Sequence, residues 1–206
     1  HEIRNPLMVV RLLFDSLELS EEADAHQEKD LSIIREKLNH LDQIAGRILA
    51  FGKSREAFRI QCPMREIMTE AALLVRLKLE QSKVTLTMNE LGADYLVFVD
   101  KGQIQQALLN LILNALGAMP NGGHLTLETS VEENKWVRVL VKDTGTGIPE
   151  EFKNRIFDSF LTARVGGTGL GLTISKRIMR AHDGDLELME STSQGTVFRL
   201  SLPIVN

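Results

Sequence analysis

Apolar residues recur every three or four positions at the start of the chain. Ile3, Leu7, Val10, Phe14 and Leu17 trace one seam; Leu31, Ile34, Leu38, Leu41, Ala45 and Ile48 trace a second. This spacing predicts two heptad helices, joined by a turn in the polar, acidic stretch from Ser20 to Glu28. An antiparallel hairpin of two such helices has too little core of its own. Pairing two copies into a four-helix bundle buries both seams, so a homodimer is expected. The heptad rhythm ends between Phe51 and Cys62, where Gly52 and Pro63 bracket a change of period. A boundary there gives a helical hairpin over 1–57 and a second domain over 58–206.

Past the boundary, helical and strand periods alternate. Helices are predicted over Met64–Gln81, over Gly102–Met119 and from Thr173 to near His182. Strands are predicted at Lys83–Met88, Tyr95–Val99, His124–Val131, Trp136–Val141, Asp185–Glu190 and Thr196–Leu202, with a turn at Asn121-Gly122-Gly123. Hairpin-connected strands with helices between them imply an α+β sandwich, a mixed sheet covered on one face.

Composition narrows the function classes. Hydrophobic content of 43% and charged content of 25% are ordinary for a globular protein. The net charge of -4 gives no electrostatic reason to expect nucleic acid or an anionic membrane as partner. A bound polyanion would therefore be held by local features. No apolar run approaches the ~20 residues that span a bilayer. There is no basic-then-apolar leader, and the chain opens at His1 without a methionine, so upstream sequence is expected. The single cysteine, Cys62, excludes an internal disulfide framework and fits a reducing, cytoplasmic compartment; a packed thiol at a strand edge is expected.

Four motifs carry candidate chemistry. Asp143-Thr144-Gly145-Thr146-Gly147-Ile148-Pro149 follows a predicted strand. Its glycines allow close backbone approach to a ligand, and its carboxylate can accept from an exocyclic amine such as that of adenine. An ordinary turn is the alternative. Gly166-Gly167-Thr168-Gly169-Leu170-Gly171-Leu172 runs into a predicted helix, whose N-terminus presents unpaired N–H groups to phosphate; a flexible linker is the alternative. Asn110 and Asn114 share one face of an apolar helix. Burying unpartnered amides costs ~1–3 kcal/mol each, so they imply a polar client such as Mg²⁺ with its waters, or a helix–helix hydrogen bond. His1, beside Glu2 and ahead of Asn5 and Pro6, falls off the apolar seam, as either a reachable nucleophile or a solvated surface histidine. Between the glycine motifs, Phe152, Ile156, Phe157 and Phe160 read as an aromatic lid or as an amphipathic helix.

In this order the motifs resemble the histidine, asparagine and two glycine boxes of two-component sensor histidine kinases. Phe157 to Phe160 resembles the phenylalanine box of that family, and the resemblance spans essentially the whole chain. The form of the histidine and second glycine boxes is most similar to nitrogen-regulatory and metal-responsive sensor kinases. The resemblance implies a dimerisation and phosphotransfer hairpin followed by a gyrase-type ATP-binding sandwich. It implies ATP and Mg²⁺ as cofactors and the receiver domain of a response regulator as partner. Asn114 would bind Mg²⁺ with Asn110 close to the phosphates, and Asp143 would read adenine. Gly145 and Gly147 would line the nucleotide, and Gly167, Thr168, Gly169, Leu170 and Gly171 would meet the phosphates, with Arg164 reaching the γ-phosphate. His1 would take the γ-phosphoryl group, Glu2 would assist as base, and Asn5 would position water for dephosphorylating the partner. Two positions depart from the pattern: Gly117 in the asparagine helix and Asp183 in the His182-Asp183-Gly184 turn. The competing readings are an ATP-binding module without kinase activity (a regulator phosphatase or scaffold) and a gyrase-type clamp. A clamp would need a glutamate where Asn110 stands.

Overall fold

The chain divides into two compact units, His1–Arg55 and Glu56–Asn206. The computed structural model describes residues 34, 38, 57–89, 95–159, 161 and 169–205. In the first unit that leaves Ile34 and Leu38, both helical, with Ile34 exposed. The rest of both heptad seams, and with them the bundle, lies outside the described residues.

The second unit opens on strand β1 (Ile60–Pro63), which pairs antiparallel with β3 (Leu96–Val99) in a small sheet of its own. Helix α1 (Met64–Gln81) begins directly after Pro63, whose fixed φ suits the position before a first turn. It buries Met64, Ile67, Met68, Ala71, Val75 and Leu79, a stripe at helical spacing. Helix α2 (Lys101–Ala118) is capped by Asp100, whose carboxylate accepts the Gln103 N–H at 3.1 Å. Its buried face is almost wholly aliphatic, running from Ile104 to Leu116.

The main sheet holds β2 (Val84–Asn89), β4 (Gly123–Glu132), β5 (Trp136–Asp143), β6 (Asp185–Thr192) and β7 (Gly195–Pro203), in the order β2-β4-β5-β7-β6. β2 and β4 are parallel, with α2 in the crossover between them; the remaining pairs are antiparallel. Strand alternation sorts the two faces. Val137, Val139 and Val141 of β5 are buried with Leu125, Leu127, Phe198 and Leu200, and this face meets α1, α2 and helix α4 (Gly171–Ala181). The opposite face carries cross-strand ion pairs: Lys142 with Glu128, Arg138 with Glu132 and Arg199 with Glu187. A mixed sheet under a layer of helices is the sandwich expected from the pattern.

The segment read as a lid is only partly helical. Helix α3 (Glu150–Lys153) makes a single turn, and turns continue to Ser159. Ile156 is buried, the Phe157 carbonyl accepts the Thr173 hydroxyl at 2.9 Å, and Lys176 Nζ sits 4.9 Å from the Phe157 ring centroid. This part of the segment is thus seated on α4. Phe160 and residues 162–168 lie outside the described residues.

Candidate nucleotide-binding site

β5 delivers Asp143 to the end of the sheet, opposite Thr196 of β7. The Asp143 Oδ1 accepts the Gly145 N–H at 2.8 Å, folding the chain sharply beneath the end of α2, where the Thr146 N–H reaches the Ala118 carbonyl at 3.1 Å. A Cβ on Gly145 would stand 2.6 Å from the Cβ of Ala118, and one on Gly147 would stand 1.9 Å from the Thr192 carbonyl oxygen at φ +73. Both glycines are therefore dictated by close backbone approach as well as by any ligand. Ser191 completes the corner: its hydroxyl accepts the Ile148 N–H at 2.8 Å and lies 3.2 Å from the Thr196 hydroxyl.

Asn110 and Asn114 lie one turn apart on α2, both half-buried in an otherwise apolar helix. The Asn110 amide nitrogen donates toward the Gly171 carbonyl at 3.3 Å and the Ser175 hydroxyl at 3.2 Å. Its amide thus ties α2 to the first turn of α4, the helix–helix bond left open by the sequence. Gly169 has φ +64, and Leu170 stands at the N-cap of α4 and, being apolar, offers no side-chain cap to the helix's first N–H groups. Among the described residues, a Cβ on Gly171 would meet nothing nearer than Asn110 Cγ at 3.9 Å, so their packing does not demand glycine there.

The structure thus gathers Asp143, Gly145 and Gly147 beside the end of α2, and sets Asn110, with Asn114 one turn on, on the same helix facing Gly171 at the start of α4, next to Gly169 and Leu170. Uncapped N–H groups suit phosphate, a carboxylate at the sheet end suits an amine, and the asparagine face supplies neutral oxygen. Among the described residues no group of three or more His, Cys, Asp or Glu could hold a metal. An amide oxygen beside a phosphate site nevertheless fits Mg²⁺, a hard cation that keeps waters and shares phosphate oxygens. His1, Glu2, Asn5, Arg164, Gly167 and Thr168 lie outside the described residues.

Two family matches divide the chain. Residues 99–206 match the histidine kinase-, DNA gyrase B- and HSP90-like ATPases, and residues 1–57 match the His Kinase A (phospho-acceptor) domain. The chain belongs to the histidine kinases. This kinase is 30% identical over 99% of its length to the signal transduction histidine-protein kinase AtoS of Escherichia coli, and 29% identical over 98% to sporulation kinase A of Bacillus subtilis. It spans 33% of each of those relatives. Among solved structures it resembles full-length ShkA in complex with AMPPNP, at 26% identity and a TM-score of 0.83 over all of this chain and 44% of that one. It also resembles the histidine kinase ThkA in complex with the response regulator TrrA, at 28% identity and a TM-score of 0.76 over all of this chain and 59% of that one.

Four further residues of the kinase help shape the site. Ser175 anchors Asn110, Thr196 and Ser191 shape the Asp143 corner, and Asp100 caps the asparagine helix. Only Asp100 left a sequence signal, an aspartate three residues ahead of Gln103 at the start of an apolar helix. The hydroxyls reach their partners through tertiary pairing that no local pattern encodes.

Proposed function

We propose that the chain autophosphorylates His1 from ATP and passes the phosphoryl group to an aspartate of a response regulator, acting as a cytoplasmic homodimer. The carrying observation is the order of the two family matches: the phospho-acceptor match over residues 1–57, which contains His1, precedes the ATPase match over residues 99–206. In the reaction the γ-phosphorus–oxygen bond of ATP breaks, ADP leaves, and a bond to an imidazole nitrogen of His1 forms. Glu2 holds the imidazole proton on the other ring nitrogen and accepts that proton as the bond to phosphorus forms. Asp143 receives the adenine amine, while the N–H groups from Gly169 to Gly171, with Gly167, Thr168 and Arg164, hold the phosphates. Asn114 would hold Mg²⁺, which when bound neutralises phosphate charge.

Use of water as the acceptor is disfavoured by Asn110. An amide is no base at neutral pH, and here its nitrogen is committed to α4. The form of the histidine and second glycine boxes favours the nitrogen-regulatory and metal-responsive branch. Among the described residues no helix is long and apolar enough to cross a membrane.

Regulator phosphatase activity is assigned to Asn5, whose amide can orient water against an aspartyl phosphate on a docked receiver domain. Transfer and dephosphorylation by the full-length protein with its receiver domain test this. Asn5→Ala keeps autophosphorylation and transfer but loses most dephosphorylation, and Glu2→Gln shows the reverse bias. Loss of autophosphorylation in Asn5→Ala as complete as in His1→Ala would contradict the division.

A further inference from the structure

Near Asn110 the two helices of the nucleotide site are tied by its amide and by the Ser175 hydroxyl, which donates to the Ala107 carbonyl at 3.4 Å; a further tie lies at their far ends. His182, at the end of α4, is wholly buried at 0% exposure. Its Nε2 lies 3.0 Å from the backbone nitrogen of Asp100, and its Nδ1 lies 2.8 Å from the Ile178 carbonyl oxygen. A backbone N–H only donates, so Nε2 must offer its lone pair. The proton then sits on Nδ1 and is donated to Ile178. One neutral tautomer satisfies both contacts.

We propose that His182 is a positioning residue for the nucleotide site, holding the start of α2 to the end of α4 through the Asp100 backbone. This rests on the nucleotide reading above. Asp100 is the residue from which α2 starts: its carboxylate accepts the Gln103 N–H and the Phe58 N–H, each at 3.1 Å. Asn110 follows ten residues on, about 15 Å along the axis, where it meets the first turn of α4. The bonds from Asn110, and from the Ser175 hydroxyl to the Ala107 carbonyl, hold the middle of α2 to α4, but not its first turns. The added tie at His182 would set the tilt of α2, and with it the placement of Asn114 relative to the start of α4. The same helix ends also anchor the chain where it enters the unit. Arg59 pairs with the Asp183 carboxylate at 2.6 Å and donates to the Ala181 carbonyl. Asp183 holds φ +58, a conformation glycine usually supplies, and its carboxylate is what receives Arg59.

The test compares two polar variants of the whole chain by calorimetric titration with Mg²⁺–ADP. In His182→Gln the amide oxygen reaches the place of Nε2 and still accepts from Asp100. In His182→Asn the shorter amide keeps the donor to Ile178 and loses the acceptor. His182→Asn should bind Mg²⁺–ADP about tenfold more weakly, as the competent arrangement falls to about a tenth of the population; His182→Gln should stay close to the native value. A purely structural histidine would lower the melting temperature of both without moving the affinity of the folded protein. Binding by His182→Gln no tighter than by His182→Asn, or unchanged binding by His182→Asn, overturns the proposal. Nitrogen-15 spectra of the native chain must show the proton on Nδ1; a protonated Nε2 overturns it whether or not the variants fold. Failure of the native chain to bind Mg²⁺–ADP would instead contradict the nucleotide reading itself, and the positioning role with it.

Discussion

Gly147 and Gly171 are both glycines of nucleotide motifs, and their surroundings demand opposite things of them. At Gly147 the backbone is left-handed and the Thr192 carbonyl blocks any side chain. Gly147→Ala should destabilise the domain by about 3 kcal/mol, combining left-handed strain with overpacking. At Gly171 an added Cβ would make, among the described residues, only an ordinary contact with Asn110 Cγ at 3.9 Å, and the backbone is helical. Gly171→Ala should therefore raise stability by about 0.4–1 kcal/mol while weakening ATP binding, because the methyl occupies room left for phosphate. Urea unfolding and nucleotide titration of the two variants check both claims. A destabilised Gly171→Ala, or one that binds ATP as the native chain does, would remove Gly171 from the site. The sequence marks both residues alike, since a glycine forced by a carbonyl 1.9 Å away and one that the described packing does not force look the same in one dimension.

At the scale of elements, the join between α1 and α2 makes the domain sensitive to alkali. Lys101 of α2 reaches Glu66 and Glu70 of α1, at 2.5 and 2.7 Å, and the hydrogen bonds it donates to these carboxylates push its pKa up to about 12. Burial, then the nearby Glu66, pushes the Cys62 thiol above its ordinary 9.0. Both groups hold their protons more tightly folded than unfolded. Their stabilisation is complete below the ordinary values and is lost as pH rises through the raised ones. The melting temperature should fall from about pH 9 upward, first through Cys62 and then, between 10.5 and about 12, through Lys101. Cys62→Ala should remove the earlier part of the fall and Lys101→Met the later part; a profile identical in both variants would contradict the assignment. Most elements were legible because their periods are local: α1 lies where its apolar stripe predicts, and β5 where its alternating valines do. β1 is legible only as a strand edge at Cys62, without bounds or partner, because four residues become a strand only by pairing Ile60 with Val99, far along the chain. The start of α4 was read two residues late, at Thr173, because glycine at 171 disfavours helix until the fold supplies the Asn110 tie.

Across the whole molecule, charge is arranged locally. The net charge of -4 coexists with a sheet face on which Glu128, Glu132 and Glu187 are paired across strands, and with a site that offers backbone N–H groups to an anion. Affinity for ATP thus rests on the loop and helix ends, and should depend little on ionic strength compared with a site steered by a basic surface. On the proposed reading the two family matches have complementary roles: residues 99–206, matching the ATPases, would supply the phosphoryl group, and residues 1–57, matching the phospho-acceptor domain, would supply His1 as its acceptor. The most direct measurement is incubation of the chain with γ-labelled ATP and Mg²⁺, followed by acid and base treatment of the labelled protein. The label should be lost in acid, survive in base and be absent from His1→Gln. A phosphoryl group that survives acid, or equal labelling of His1→Gln, would contradict the assignment of this chain as a kinase that phosphorylates its own histidine.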